Sequence, residues 1–188
     1  MIHTNKPLHL IGFGGAGANS IIAIQKMGLP AKYTCITQPE RKDLAPEITC
    51  ITFMPPGERR ITKTGKEFFI PNRQAPLEVP KTIDDLFEPN AHYVIIAGLG
   101  GYTGTYLMKH FGSRLQDNQK SFTAICILPF SFERRASKAI INQIHQKYKA
   151  AENFHFIDLN TYQEKFGDKP ITELFDQVNQ DVYSLIKL

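Results

Sequence analysis

Two glycine clusters, each directly behind a run of apolar residues, constrain this chain more than any other feature. The first is Gly12-Phe13-Gly14-Gly15-Ala16-Gly17-Ala18-Asn19, which follows the short apolar run at 8–12. The second is Ala97-Gly98-Leu99-Gly100-Gly101-Tyr102-Thr103-Gly104-Thr105, which follows Tyr-Val-Ile-Ile-Ala at 93–97. Backbone without side chains can approach an anion closely, and the free N–H groups at a helix N-terminus favour negative charge. A strand that runs into such a loop and reopens as a helix is suited to cradle phosphate. Two of these loops at neighbouring strand ends would aim two sets of N–H groups at one polyphosphate, and Thr103 and Thr105 could add hydroxyl contacts to phosphate or to the shell of a Mg²⁺ ion.

The rest of the chain alternates in the same way. Strands are predicted at 8–12, 32–37, 48–53, 93–97, 122–128 and 154–159. Helices are predicted at 15–28, 104–116 and 132–149. A short helix is expected after Asn160 and Gln163, which have capping-box spacing. A terminal helix capped by Thr172 has a core stripe of Leu174, Val178, Val182 and Leu185. Apolar strands alternating with amphipathic helices predict an α/β fold: a three-layer, Rossmann-like, mostly parallel sheet with helices on both faces. Right-handed crossovers then gather the βα loops along the carboxyl edge, where such folds bind ligands. The Pro-rich segment 54–82, with one strand-like stretch at 67–70, reads as a surface insertion within a single domain spanning 1–188.

Composition agrees. Hydrophobic residues make up 42% and charged residues 21% of the 188, as in ordinary globular chains. No signal-peptide layout opens the sequence, and no apolar stretch is long enough for a membrane helix. Cys35, Cys50 and Cys126 are scattered, without metal-ligand spacing, which points to reduced thiols and a cytoplasmic location. The net charge of +4 is mild, and Lys/Arg concentrate in 109–150. Neither aromatic interleaving nor a recognition-helix pattern accompanies them, so nucleic acid and membrane are not expected partners. Thr62-Lys63-Thr64-Gly65-Lys66 lacks the upstream glycine and following hydroxyl of a Walker loop.

A dinucleotide-binding reading rests on the first glycine loop alone. It wants an acid at the end of the second strand to hold a ribose; the point is occupied by Thr37-Gln38-Pro39, with Glu40 the only acid nearby. It also leaves the second loop unexplained.

At these loops the chain resembles the tubulin/FtsZ superfamily, and its FtsZ branch most. Gly100 to Tyr106 (GGYTGTY) matches the GGGTGTG-type signature in frame. The first loop resembles the first FtsZ phosphate loop, including its closing Asn19. Pro129-Phe130-Ser131-Phe132-Glu133-Arg134-Arg135 is similar to the PFTFEGRR stretch that contacts the ribose. The resemblance implies a guanine nucleotide, GTP or GDP, with Mg²⁺ as a possible companion. It assigns contacts to Gly12, Gly14, Gly15, Ala16, Gly17, Asn19, Gly98, Gly100, Gly101, Tyr102, Thr103, Gly104, Thr105, Pro129, Glu133 and Arg135. It also implies an aromatic stacked on the base and a polar residue reading its edge. Phe175 and Asn179, four apart on the terminal helix, fit those roles.

The sequence departs from the family at several points. Tyr102 and Tyr106 stand where glycine or a small residue is usual. The glycine-rich third phosphate loop has no counterpart between Pro55 and Asp85, and Ser137 stands where an arginine is usual. The sequence ends where the family continues into a second domain, past a loop that carries the catalytic acid. Asp176 and Asp181 lie on a helix and not in such a loop. The resemblance therefore implies a nucleotide-binding half with weak or no GTPase activity of its own, one that could regulate or cap filaments of an FtsZ-like protein. An active GTPase, a degenerate fold kept for protein contacts and an NAD(P)-binding enzyme remain as alternatives, and oligomeric state is open.

Overall fold

A computed structural model describes residues 5–38, 41–72, 78–87, 90–136 and 138–187, without the side chains of 134–136. Six parallel strands form the main sheet: β1 (Leu8–Phe13), β2 (Lys32–Thr37), β3 (Ile48–Thr52), β6 (His92–Gly98), β7 (Phe122–Leu128) and β8 (Phe154–Asp158). Their order is β3-β2-β1-β6-β7-β8. The helices are α1 (Gly14–Lys26), α2 (Lys81–Asp84), α3 (Tyr102–Asp117), α4 (Lys138–Tyr148), α5 (Leu159–Phe166) and α6 (Ile171–Ile186).

Side chains alternate across a strand, so a sheet covered on both faces needs two apolar sets. Leu10, Val94, Ile96, Ile125 and Ile127 pack with Ala18, Ile21 and Ile24 of α1 and with Leu174, Val178, Val182 and Ile186 of α6. Their neighbours Ile11, Phe13, Ile95, Ala97 and Cys126 pack on the other face with Leu107, Met108 and Phe111 of α3 and Ile141, Ile144 and Tyr148 of α4. Each fully buried side chain of this size contributes about 1.5–3 kcal/mol. The helix after β1 thus covers one face and the helix after β6 the other, although the two strands are neighbours. The two helices lead away to opposite faces from this boundary and leave a crevice at the carboxyl edge, the switch point of an open α/β sheet.

Three local expectations are corrected. The predicted helix 132–149 is two pieces: a 3-10 turn over Ser131–Ala136 and then α4. The Glu133 N–H donates to the Phe130 carbonyl at 3.0 Å, and the Glu133 carboxylate accepts from the Phe130 N–H at 3.3 Å. These reciprocal bonds three residues apart close a tight turn before the α-helix begins. The second concerns α5, which is capped by Asp158, not Asn160: the Asp158 side chain accepts from the Asn160 N–H at 3.0 Å. The third concerns α6, which opens at Ile171 behind Pro170, so Thr172 lies inside its first turn and is not its cap.

The segment after β3 holds one strand more than the pattern shows. β4 (Gly57–Ile61) pairs antiparallel with β5 (Glu67–Pro71) as a separate hairpin. Gly65 turns it, with φ at +79°. β4 is exposed along its whole length. It has no buried face to leave an apolar alternation in the sequence, which is why it escapes pattern reading.

Cys35 and Cys126 are buried and Cys50 half-buried, and all three are free thiols. Burial pushes the Cys35 thiol up to about 12 and Cys126 higher. No helix among the described residues is long and apolar enough to cross a membrane.

Candidate functional site

The crevice at the β1/β6 boundary is a cleft of about 800 Å³. It is built from the starts of α1 and α3. Gly14 has φ at +71°, and a Cβ there would stand 3.0 Å from the Gly104 nitrogen, so the two first turns touch. Gly104 in turn approaches the Gly98 carbonyl, to within 2.4 Å of where its Cβ would be. A side chain at either position would force the loops apart.

Neither α1 nor α3 has a side-chain cap, and neither carries an acid in its first turn. The first four N–H groups of a helix have no partner within it. Two other helices carry an acid at this end: Asp158 caps α5, and Glu173 lies in the first turn of α6, whereas the first turn of α4 has none. The two helix ends at the cleft keep a partial positive charge of about half a unit each. Among the described residues, the lining includes the carboxylates Glu133 and Asp176 and no Lys or Arg. Among the described residues, attraction for an anion comes here from backbone and not from side-chain cations.

Of the residues proposed from sequence whose side chains are described, all line this cleft except Gly12, Gly17 and Thr105. Gly12 and Gly17 are packing residues: a Cβ on Gly17 would lie 2.3 Å from the Ile96 carbonyl oxygen, and one on Gly12 would meet the Gly17 backbone at 2.6 Å. The Thr105 hydroxyl donates back to the Gly101 carbonyl at 2.6 Å and closes the first turn of α3. The side chain of Arg135, like Glu40, lies outside the described residues. By contrast, nothing stands within 4 Å of a Cβ on Gly15 or Gly101. These two glycines leave bare backbone facing open space.

Asn19 closes one side. Arg41, from the segment after β2, donates to its Oδ1 at 3.1 and 3.0 Å, and through Nε to Asp43 at 2.7 Å. The hydrogen bond from Arg41 holds the Asp43 carboxyl down to about 2. Arginine only donates, so the Asn19 oxygen is committed and its amide N–H₂ is the group left to donate.

The loop 129–133 is held from β8 and α5. The Ser131 N–H donates to Asn160 Oδ1 at 2.8 Å, and the Asn160 amide donates to Asp158 Oδ1 at 2.6 Å. A Cβ on Gly100 would meet the Pro129 ring at 3.1 Å, which ties this loop to the second glycine loop. Phe130 packs edge-on against Phe175, at 6.3 Å between ring centroids, and stacks on Phe132 at 5.2 Å. Phe175, Asp176 and Asn179 of α6 complete the lining.

Comparison with solved structures decides the architecture. An FtsZ dimer from M. jannaschii superposes on 98% of this chain with a TM-score of 0.67 at 18% identity. The phage tubulin PhuZ, solved with GDP, gives 0.59 over 95% of the chain at 16% identity. A protofilament of TubZ from bacteriophage PhiKZ gives 0.56 over 95% at 11% identity. The fold is that of FtsZ and tubulin. The FtsZ-like chain spans about half the length of these proteins, 54%, 54% and 56% of each. No family model and no curated protein matches it.

Within this FtsZ-like fold, sequence reasoning missed several lining residues. Gln38 ends β2 at the place searched for an acid, and it lines the cleft as an amide. Ser20, Thr172 and Asp176 line it as well. Asp176 was legible as the neighbour of Phe175. Arg41 carried no motif and reaches the site only through Asn19. Among the described residues, no group of three or more His, Cys, Asp or Glu is placed to hold a metal ion.

Proposed function

We propose that the cleft binds a guanine nucleotide, phosphates at the glycine loops and base against α6. The observation that carries this reading is the convergence of two uncapped helix N-termini on a cleft that also contains Phe175, Asp176 and Asn179. Backbone N–H groups of α1 and α3 suit phosphate oxygens. The Phe175 ring, 39% exposed, offers a flat apolar surface for a base. Guanine presents donors at N1 and N2 and acceptors at O6 and N7. A carboxylate at Asp176 and an amide at Asn179 match the donors, and the Asn19 amide matches an acceptor. Mg²⁺ would be held chiefly by phosphate oxygens and water, with the Thr103 hydroxyl at hand.

The reading is of binding more than of turnover. The Glu133 carboxylate is engaged by the Phe130 N–H, and Asp176 sits beside the aromatic of α6. A nucleotide-binding module of this kind, in a reducing cytoplasm, would suit regulation or capping of FtsZ-like filaments. Calorimetric titration with GDP, GTP, ATP and NAD tests the reading. Binding of a guanine nucleotide at micromolar concentration, weakened by Phe175→Ala, is the expected result. No heat with GDP or GTP well above that concentration overturns it.

A second reading, a fold kept for protein contact, draws on Phe132. This side chain is 64% exposed while stacked on buried Phe130, beside Phe175. A melting temperature indifferent to every nucleotide would favour it.

A further inference from the structure

We infer that Tyr102 makes this site selective for a nucleoside diphosphate over the triphosphate; the inference rests on the nucleotide-binding reading above and names its ligand more closely. Tyr102 is the first residue of α3, directly after the bare backbone of Gly101. Its side chain lines the cleft yet is only 8% exposed. The ring is stacked on Tyr106, one turn along the helix, with centroids 4.2 Å apart and planes 14° apart. Aromatic pairs of this kind hold each other in place beyond simple burial. The wall beyond Gly101 is therefore a fixed ring and not a mobile side chain.

The surrounding backbone is closely packed. Gly100 abuts Pro129, and Gly104 abuts the Gly98 and Phe13 carbonyls. Because Tyr102 follows Gly101 directly and lines the cleft, a phosphate chain laid along Gly15 and Gly101 would reach the Tyr102 ring next.

Charge works in the same direction as shape. Each added phosphate brings more negative charge into the cleft. The two helix ends together offer roughly one unit of positive charge. Among the described lining residues, Glu133 and Asp176 oppose it and no Lys or Arg adds to it. In this arrangement a third phosphate finds no Lys or Arg among the described lining residues and meets a packed ring.

Titration of the intact chain with GDP and with a β,γ-imido GTP analogue, in the presence of Mg²⁺, tests this. GDP is expected to bind at least tenfold tighter than the analogue. Tyr102→Gly should bring the two affinities together by strengthening the analogue, and Tyr102→Phe should keep the discrimination, because the ring and not the hydroxyl provides the barrier. Tyr106→Ala removes the stack without touching the cleft lining and should also narrow the ratio, which keeps the test open if Tyr102→Gly folds poorly. Equal affinity of the unaltered chain for both ligands overturns the inference and leaves nucleotide binding standing. So does a ratio that neither Tyr102→Gly nor Tyr106→Ala changes, or one that Tyr102→Phe abolishes. Binding of neither ligand overturns the nucleotide reading itself.

Discussion

A methyl group on Gly17 would stand 2.3 Å from the carbonyl oxygen of Ile96. Helix α1 therefore rests on the backbone of β6 with no side chain between them. Gly17→Ala must push the helix off the sheet. Overpacking of this kind costs about 1–3 kcal/mol, and the rigid carbonyl partner favours the upper end. Chemical denaturation should show a lowered midpoint, and a midpoint unchanged from the parent chain would contradict the close approach.

Gly15 lies two residues away on the same helix and behaves oppositely. Space around it is open, and its backbone is ordinary helix. Gly15→Ala should stabilise the free protein, by up to about 1 kcal/mol from helix propensity alone. The same methyl group points bare backbone away from any phosphate, so guanine nucleotide affinity should fall. Gain of stability with loss of binding is the signature; a variant that binds GDP unchanged would remove Gly15 from the cradle.

Those two glycines also show how far the sequence could be read. The clusters, their strands and the cleft they form were legible because glycine spacing and apolar runs are local signals. Which glycine packs and which faces the cleft was not legible, because it depends on where Ile96 and Gly104 arrive from distant segments. The same holds for Thr105, whose hydroxyl is spent inside α3, and for Arg41, which reaches Asn19 across a strand crossover. The split of the helix at 132–149 turned on a carboxylate reaching back to Phe130, which a helical periodicity cannot reveal.

Asn160 is a positioning residue for the loop that carries Glu133. It accepts from the Ser131 N–H while donating to Asp158. Asn160→Ala should cost about 0.5–1.5 kcal/mol, the worth of an ordinary hydrogen bond. It should weaken nucleotide affinity by more than its effect on stability would suggest, and Asn160→Gln, which keeps both an acceptor for Ser131 and a donor for Asp158, should restore part of the affinity. Equal losses for both variants would argue that the contact serves only to hold α5.

His92 sets a pH dependence of stability. Its ring nitrogens bond the hydroxyls of Ser121 at 2.8 Å and Thr123 at 3.0 Å. Burial pushes its pKa below the usual 6.5, and burial does the same for His110 and His155. Below about 6.5 the unfolded chain takes up protons that the folded chain resists. The contribution is thus complete above that value and is lost as pH falls. Melting temperature should drop between pH 7 and pH 5, and His92→Gln should make the drop shallower. An unchanged slope would assign the loss to the other two histidines.

The β4–β5 hairpin lies between two strands of the main sheet in sequence but pairs with neither. Among the described residues its strands pair with each other as a two-stranded sheet, and its turn at Thr62 to Lys66 is closed by its own hydrogen bonds. The cleft, by contrast, is framed by β1, β6 and the helices that follow them. The hairpin residues do not line the cleft. Residues 63 and 64 therefore offer an attachment point where a dye or an inserted peptide could be carried, reporting on the whole molecule without entering the geometry on which ligand binding depends.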